Sequence, residues 1–225
     1  SMVKAAWGGA ADADVILLTA VDYDRQGVAL GLLADRVKAL GLDYPYRLAF
    51  RPNTGMQTGF DVDGNGWTGD ARDAQGFGLF SCNGGMAVLS RLPIDDTGAR
   101  DFSGFLWRDL PGSLTPDKGG LAEVQRLATT GFWDVPVVTG AGPLHLLAWH
   151  ATPPVFDGPE DRNGKRNHDE IRLWSEYISP GAKPWLCDDQ GHCGGLQADA
   201  RALHDALMRV DDLPGTAALY ALTRR

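Results

Sequence analysis

The chain has 225 residues, of which 44% are apolar and 22% are charged, and it carries a formal net charge of −8. This length and composition fit one globular domain over residues 1–225 with a substantial core. The negative charge argues against broad electrostatic capture of nucleic acid, which requires cations to neutralise phosphates. It is compatible with a small phosphate ester held by a few local cations or by a metal.

No run of about 18 apolar residues occurs, so no membrane span is predicted. The opening residues, SMVKAAWGG, lack the apolar segment of a signal peptide. Because a leader can be removed, the sequence is compatible with a soluble cytoplasmic protein and with a secreted or periplasmic one. The compartment is therefore unknown.

The apolar pattern predicts a mixture of strands and helices in chain order. Strands are predicted over 14–21, 44–50, 84–94, 133–139 and 143–149, and helices over 27–41, 167–178 and 198–210. The last two strands form a hairpin. Residues 51–79 form a loop so long that it should be functional or pinned by a ligand. Since strict β-α-β alternation is missing, an α+β layered fold is favoured over a doubly wound sheet.

The long loop contains the stretch DVDGNGWTGDARD over residues 61–73. Its D-x-D-x-N-G pattern is that of the first half of a Ca²⁺-binding loop, with Gly66 at the sharp turn. An EF-hand would place its closing glutamate where Arg72 stands, so another acid must serve. The candidate ligands are Asp61, Asp63, Asn65, the carbonyl of Trp67, and Asp70 or Asp73. The alternative is a tight loop of Asx turns with solvated acids.

A densely charged stretch, HATPPVFDGPEDRNGKRNHDE, follows directly on the last predicted strand. Read as the rim of a binding cleft, it places a catalytic candidate at His150. The candidate substrate contacts are Asp157, Asp161, Arg162 and Asn163. The alternative is a structural loop that caps the next helix, with Asn167 as N-cap and Glu170 completing a capping box.

The chain has three cysteines, Cys82, Cys187 and Cys193, and the last two lie in the stretch CDDQGHC. The spacing is wider than that of common zinc sites and no second ligand pair follows. A pair of loop thiols is the first interpretation. A short disulfide and a zinc site that includes His192 are the alternatives.

The stretches NGGMAVLSRLPI and LLAWHATPPVFDGPEDRNGKRNHDEI resemble a bacterial branch of the endonuclease/exonuclease/phosphatase family, which has the DNase I-like fold. The resemblance runs from about residue 14 to residue 196. It implies a four-layer α/β/β/α sandwich in which helices cover two facing sheets. It also implies hydrolysis of phosphodiesters or phosphomonoesters with a divalent cation, Mg²⁺ or Mn²⁺.

The resemblance carries over to the chain unevenly. His150 matches the histidine that contacts the phosphate in this family, whereas Ala20 stands where the metal-binding glutamate belongs. Asp22 or Asp189 is a candidate replacement. The family's first-strand asparagine, its Gly-Asp-x-Asn motif and its terminal Asp-His pair have no counterparts. Two functions stay open: a metal-dependent phosphoesterase, or an inactive member that binds a ligand or a partner.

The unmatched motifs lie on strands at the two ends of the family's sandwich. The chain is therefore expected to lack edge strands at both termini. Unpaired strand edges expose backbone donors and acceptors, and a second chain can cover them. A homodimer is one way to satisfy these edges.

Overall fold

The computed structural model describes residues 13–196 and the backbone of residues 219–223. The strands are β1 (Val15–Val21), β2 (Tyr46–Leu48), β3 (Gly85–Ser90), β4 (Arg100–Asp101), β5 (Phe132–Thr139), β6 (Gly142–Trp149) and β7 (Leu219–Thr223). The helices are α1 (Val28–Lys38), α2 (Gly119–Val124) and α3 (Arg162–Ile178), with a 3₁₀ turn at Trp107–Asp109. Within the described residues, no helix is both long enough and apolar enough to span a bilayer.

The strands form two antiparallel sheets. The first sheet has the order β1-β3-β2 and the second has the order β4-β5-β6-β7. In the second sheet, β5 and β6 form a hairpin whose register runs from Phe132 opposite Trp149 to Thr139 opposite Gly142. The mixture of helices and sheets confirms the predicted α+β class.

The apolar side chains of each sheet alternate between two sides, as the two-residue period of a strand requires. Between the sheets, Met86 and Val88 of β3 pack in one cluster with Trp133 and Val135 of β5. On the other side of the first sheet, Leu89 packs against buried residues of α1. Each sheet therefore contributes to a core on both of its faces.

The other side of the second sheet packs against α3. Phe132 and Leu147 share a buried cluster with Leu173, Trp174 and Tyr177 of that helix. Trp174 lies at the centre of this cluster, with edge-to-face contacts to Phe132 at 5.5 Å and to Tyr177 at 5.5 Å between ring centroids. This aromatic packing fixes α3, whose first turn lies close to the candidate site.

The predicted start of α3 is wrong. The helix begins at Arg162, and Asn167 lies inside it, where its Nδ2 donates to the carbonyl of Thr152 at 2.7 Å. The Asp157 carboxylate accepts the backbone N–H of Asn163 and so satisfies a donor of the first turn. Asn167 is therefore not the N-cap, and the helix starts where the Asp157 carboxylate is available.

The expectation of missing edge strands is corrected on the C-terminal side. Strand β7 pairs antiparallel with β6, with Leu144 opposite Thr223 and Ala148 opposite Leu219. It occupies the edge beside β6 that was expected to be open. The first 12 residues and the helix predicted over 198–210 lie outside the described residues.

Candidate functional site

The two sheets meet at the end where β1 and β6 both finish. Val21 at the end of β1 lies opposite Gly85, and a Cβ added to Gly85 would lie 2.9 Å from Cγ of Pro52. The next residue, Asn53, donates its backbone N–H to the carbonyl of Thr130 at 2.8 Å, just before β5 begins. The segment at Pro52 therefore joins the ends of both sheets on one face of the molecule.

His150 follows β6 on this face and is half-buried. Burial lowers the pKa of the His150 imidazole below its usual value, so the ring is neutral near pH 7. A neutral imidazole offers one N–H donor and one acceptor nitrogen. The neutral ring can therefore donate a hydrogen bond to a phosphate oxygen. A carboxylate in the same place would repel the negatively charged phosphate.

Glu170 of α3 supports the backbone on both sides of His150. Its carboxylate is fully buried, and Oε1 accepts from Thr129 N at 2.9 Å and from Thr129 Oγ1 at 2.5 Å. Oε2 accepts from the backbone N–H of Thr152 at 2.6 Å. The Thr129 hydroxyl also lies 3.4 Å from the His150 carbonyl. One carboxylate thus binds both Thr129, which lies beside the His150 carbonyl, and Thr152, two residues after His150.

Arg166 is the charge that balances Glu170. Burial raises the pKa of Glu170, and the charge of Arg166 opposes that rise. Burial likewise lowers the pKa of Arg166, to about 10, so its guanidinium stays charged at neutral pH. Arg166 Nε donates to the carbonyl of Leu127 at 2.8 Å, and Nη2 donates to that of Ala128 at 3.2 Å. The pair holds the loop at residues 127–130 from the side of α3.

The end of β1 is built differently. Ala20 is exposed and has a φ of 58°, and the pairing of β1 with β3 shifts register between Thr19 and Val21. The nearest carboxylate, Asp22, accepts from Asn83 Nδ2 at 2.9 Å and from Gly84 N at 2.7 Å. These hydrogen bonds hold the pKa of Asp22 below its usual value. Oδ1 of Asp22 is therefore engaged in fixing the start of β3.

A cleft of about 380 Å³ lies beside this end of β1, and its charged lining consists of Asp22, Asp24, Arg25 and Arg47. Asp24 accepts the backbone N–H groups of Val28 and Ala29 at 2.9 Å each. Its carboxylate thereby stabilises the first turn of α1. His150 does not line this cleft.

Among the described residues, no group of three metal-ligating side chains includes His150. In the described part of the chain, only Asp61, Asp63 and Asp73 bring three metal-ligating side chains within 4.8 Å of one another. Asp189, a candidate replacement ligand, instead accepts the Gly104 N–H at 2.9 Å. Burial raises the pKa of Asp189. We therefore assign no chemical step to a metal at His150.

The four predicted substrate contacts surround the start of α3, where each is placed by local contacts. Asp157 accepts the Asn163 N–H, and Asn163 Nδ2 donates to the carbonyl of Val155 at 2.7 Å. Arg162 forms an ion pair with Asp117. Asp161 stands at the N-cap with a φ of 52° and makes no side-chain capping bond. These residues stabilise the loop, and their contact with substrate stays a prediction.

The structure brings together part of the predicted Ca²⁺ site. Asp61, Asp63 and Asp73 form the group of three acids described above. Asp70 lies outside that group and accepts from Asn65 Nδ2 at 2.8 Å, while Trp67 is 76% exposed. The remaining predicted ligands are therefore placed around the group without belonging to it.

Cys187 and Cys193 form a disulfide, which corrects the preferred interpretation of two loop thiols. A zinc site with His192 is excluded, because both sulfurs are used in the bond. Arg100 anchors this loop to the second sheet, since its Nε lies 2.7 Å from Oδ2 of Asp188.

The residues that support the segments around His150 were not predicted from the sequence. Glu170 was considered only as a helix cap, and Arg166 and Thr129 were not considered. The one available signal was the spacing of Arg166 and Glu170, which places opposite charges on one helix face. That spacing is common on exposed helices and does not indicate burial.

Residues 5–194 match the sequence model of the endonuclease/exonuclease/phosphatase family, so the chain belongs to that family. The family indicates a phosphoester hydrolase-type domain, and its members generally depend on divalent metals. No curated protein and no solved structure matches the chain.

Proposed function

We propose that this domain acts on a phosphate ester bound at His150. The placement of His150 carries the proposal: the imidazole is half-buried at a strand end, on the face where both sheets finish. Its carbonyl lies 3.4 Å from the hydroxyl of Thr129, which is held by the buried Glu170. A neutral imidazole fixed in this way can donate a hydrogen bond to a phosphate oxygen and can accept a proton as charge moves.

We further infer the four-layer DNase I-like sandwich from the packing. Three apolar clusters support it: one between α1 and the first sheet, one between the sheets, and one between the second sheet and α3. Asp157, Asp161, Arg162 and Asn163 are proposed as the rim of the site, because they lie in the segment that connects His150 to α3.

Binding without turnover is the second candidate function. The observation that favours it is Ala20, which is exposed and offers no metal ligand at the end of β1. Asp22 next to it already binds Asn83 and Gly84. A phosphate could then be held at His150 while Mg²⁺ or Mn²⁺ has too few ligands to activate water.

Hydrolysis of bis-p-nitrophenyl phosphate and p-nitrophenyl phosphate tests the first function against the second. The chain is assayed with EDTA, Mg²⁺, Mn²⁺ or Ca²⁺, as wild type, as His150→Ala and as His192→Ala. The last is a control, because His192 has a side chain that is 73% exposed and lies in the disulfide loop. A phosphoesterase should lose on the order of 100-fold or more in His150→Ala, as expected for the loss of an acid-base group, and nothing in His192→Ala.

Phosphate binding separates the remaining outcomes. If no metal supports turnover, but phosphate binds to wild type and not to His150→Ala in a ³¹P NMR titration, the second function holds. If wild type neither turns over these esters nor binds phosphate, both functions are rejected.

We propose separately that Ca²⁺ binds at Asp61, Asp63 and Asp73 and pins the long loop. At a Ca²⁺ concentration about 100 times the Kd, binding should add about 2.7 kcal/mol to the free energy of unfolding. That corresponds to a rise in Tm of roughly 5–10 °C for a chain of this size. Asp63→Asn should abolish the rise, and Asp109→Asn should not, because Asp109 is an exposed acid outside the loop. An equal rise in both variants would contradict the site.

A homodimer that covers the open strand edges remains a proposal. Among the described strands, the edge strands are β1 and β2 in the first sheet and β4 and β7 in the second. Molecular mass by light scattering decides it, and a monomer at all concentrations would reject it.

A further inference from the structure

Two short segments near His150 expose large apolar side chains to solvent. In the segment GFGLF, Phe77 is 67% exposed, Leu79 78% and Phe80 54%. In the segment PPVF, Phe156 is 92% exposed. Neither segment contains a charged residue. Single exposed apolar residues need no explanation. A group of them beside a polar site indicates a surface that binds the apolar part of a ligand.

The two segments leave the core on either side of Thr129. A Cβ added to Gly76 would lie 2.0 Å from the Thr129 carbonyl oxygen, so the first segment starts in direct contact with Thr129. The second segment follows Thr152, whose backbone N–H donates to Glu170, the same carboxylate that binds Thr129. The Thr129 hydroxyl in turn lies 3.4 Å from the His150 carbonyl. Both apolar segments are therefore linked to the backbone at His150, the first through Thr129 and the second through Thr152 and Glu170.

Phe156 is held outward by its neighbours. Its φ of 69° lies in the left-handed region, which bulky residues rarely adopt. The Val155 carbonyl accepts from Asn163 Nδ2, and the Asp157 carboxylate accepts from Asn163 N. Both residues that flank Phe156 are thus tied to the first turn of α3. A strained residue whose ring has no packing to repay the strain is a marker of function.

We propose that the His150 site takes a phosphate ester that carries an apolar group, an alkyl chain or an aryl ring, rather than a polyanion. The inference rests on the proposed function, because His150 must hold the phosphate. Phe156 would cover the apolar group from one side, and Phe77 and Leu79 would cover it from the other. The chain's net charge of −8 disfavours substrates with many phosphates and leaves apolar contact as the source of affinity.

Isothermal titration calorimetry of the full chain tests this assignment. The probes are n-decyl phosphate below its aggregation concentration, inorganic phosphate and n-decanol. The variants are Phe156→Ser, Leu79→Ser and the control Val138→Ser. Val138 is a suitable control because its side chain, like those of Phe156 and Leu79, is exposed, in its case by 49%. It lies near the end of β5 that is far from His150.

Wild type should bind decyl phosphate at least about 10-fold more tightly than inorganic phosphate, which equals about 1.4 kcal/mol. Phe156→Ser and Leu79→Ser should each reduce that advantage while leaving the affinity for inorganic phosphate unchanged. Val138→Ser should behave as wild type. This pattern would support the assignment.

Three results would overturn the inference, and they differ in what they say about the proposed function. Equal affinities for decyl phosphate and inorganic phosphate would reject the apolar assignment and keep the phosphate site. If decanol binds as tightly as decyl phosphate, the alkyl chain binds without any contribution from the phosphate at His150. If neither phosphate probe binds, the proposed function fails and the inference fails with it.

Discussion

The ends of β6 and β1 lie on the same face of the molecule, yet they are built in opposite ways. Beyond β6, His150 is half-buried and its neighbours are held by Glu170, a buried carboxylate with three hydrogen bonds from Thr129 and Thr152. At the end of β1, Ala20 is exposed and has a φ of 58°. One strand end is supported by buried charge, and the other presents a methyl group to solvent.

This difference separates the two tasks that a phosphoesterase face performs. Holding a phosphate needs a donor in a fixed position, and the end of β6 provides one. Stabilising charge with a metal needs several carboxylates, and the end of β1 provides Asp22, whose Oδ1 already accepts from Gly84 and Asn83. On the proposed function, the β6 end would then bind phosphate without depending on the β1 end.

The largest expected effect comes from removing the support at the β6 end. Glu170→Ala would remove the carboxylate that offsets the buried charge of Arg166 and would leave the donors of Thr129 and Thr152 unpaired. Breaking a buried pair of this kind should lower the free energy of unfolding by about 3–5 kcal/mol. Urea denaturation measures the change.

Glu176→Ala on the same helix is the matched control. Glu176 pairs with Lys183 at 3.0 Å, but its side chain is 37% exposed. The Lys183 side chain is 12% exposed, so the pair is only partly exposed, and its loss should cost about 1 kcal/mol, well below the loss in Glu170→Ala. Equal losses in the two variants would show that Glu170 has no special role in supporting His150.

More of the fold than of the candidate site could be predicted from the sequence. The hairpin of β5 and β6 follows from alternating apolar residues, and the Asp61–Asp63 spacing indicated the acids that cluster. Glu170 was assigned to a capping box because it stands three residues after Asn167, the predicted N-cap. Its burial depends on Thr129, which is 41 residues away in the sequence. A contact that distant leaves no local pattern.

The partly buried carboxyl of Asp101 in β4 should make stability depend on pH. Burial raises the pKa of Asp101 in β4 to about 7, and the charge of Asp189 adds to the rise. The folded state therefore holds a proton that the unfolded state releases near pH 4. Stability from this group is present below about pH 4, falls as pH rises from about 4 to 7, and is constant above that, for a total on the order of a few kcal/mol.

Asp101→Asn should remove that part of the pH dependence. The amide oxygen can still accept from Ser103 N, which donates to Oδ1 of Asp101 at 2.9 Å. The difference in unfolding free energy between variant and wild type should therefore grow from pH 4 to pH 7. The difference isolates Asp101, because contributions from His150 and Glu170 are common to both chains. A difference that does not change with pH would contradict the raised pKa.

The smallest expected effects concern the end of β1, where two substitutions of Ala20 separate strain from chemistry. Ala20→Gly relieves a left-handed backbone conformation and should stabilise the fold by about 1 kcal/mol. Ala20→Glu keeps the strain, meets no buried surface because the position is exposed, and adds a carboxylate beside Asp22. Its stability should equal that of wild type within about 0.5 kcal/mol, as for exposed substitutions generally.

The two variants also test whether the missing carboxylate at the end of β1 limits the rate of phosphoester hydrolysis. Ala20→Glu should raise Mn²⁺-dependent hydrolysis of bis-p-nitrophenyl phosphate by at least about 10-fold over Ala20→Gly, because a metal ligand stabilises charge in the transition state. His150→Ala in the Ala20→Glu background should remove the gain, since the metal and the histidine act on the same phosphate. Equal rates in the two Ala20 variants would mean that the exposed methyl group is not what separates this face from a hydrolytic one. The contrast between the two strand ends would then be structural only.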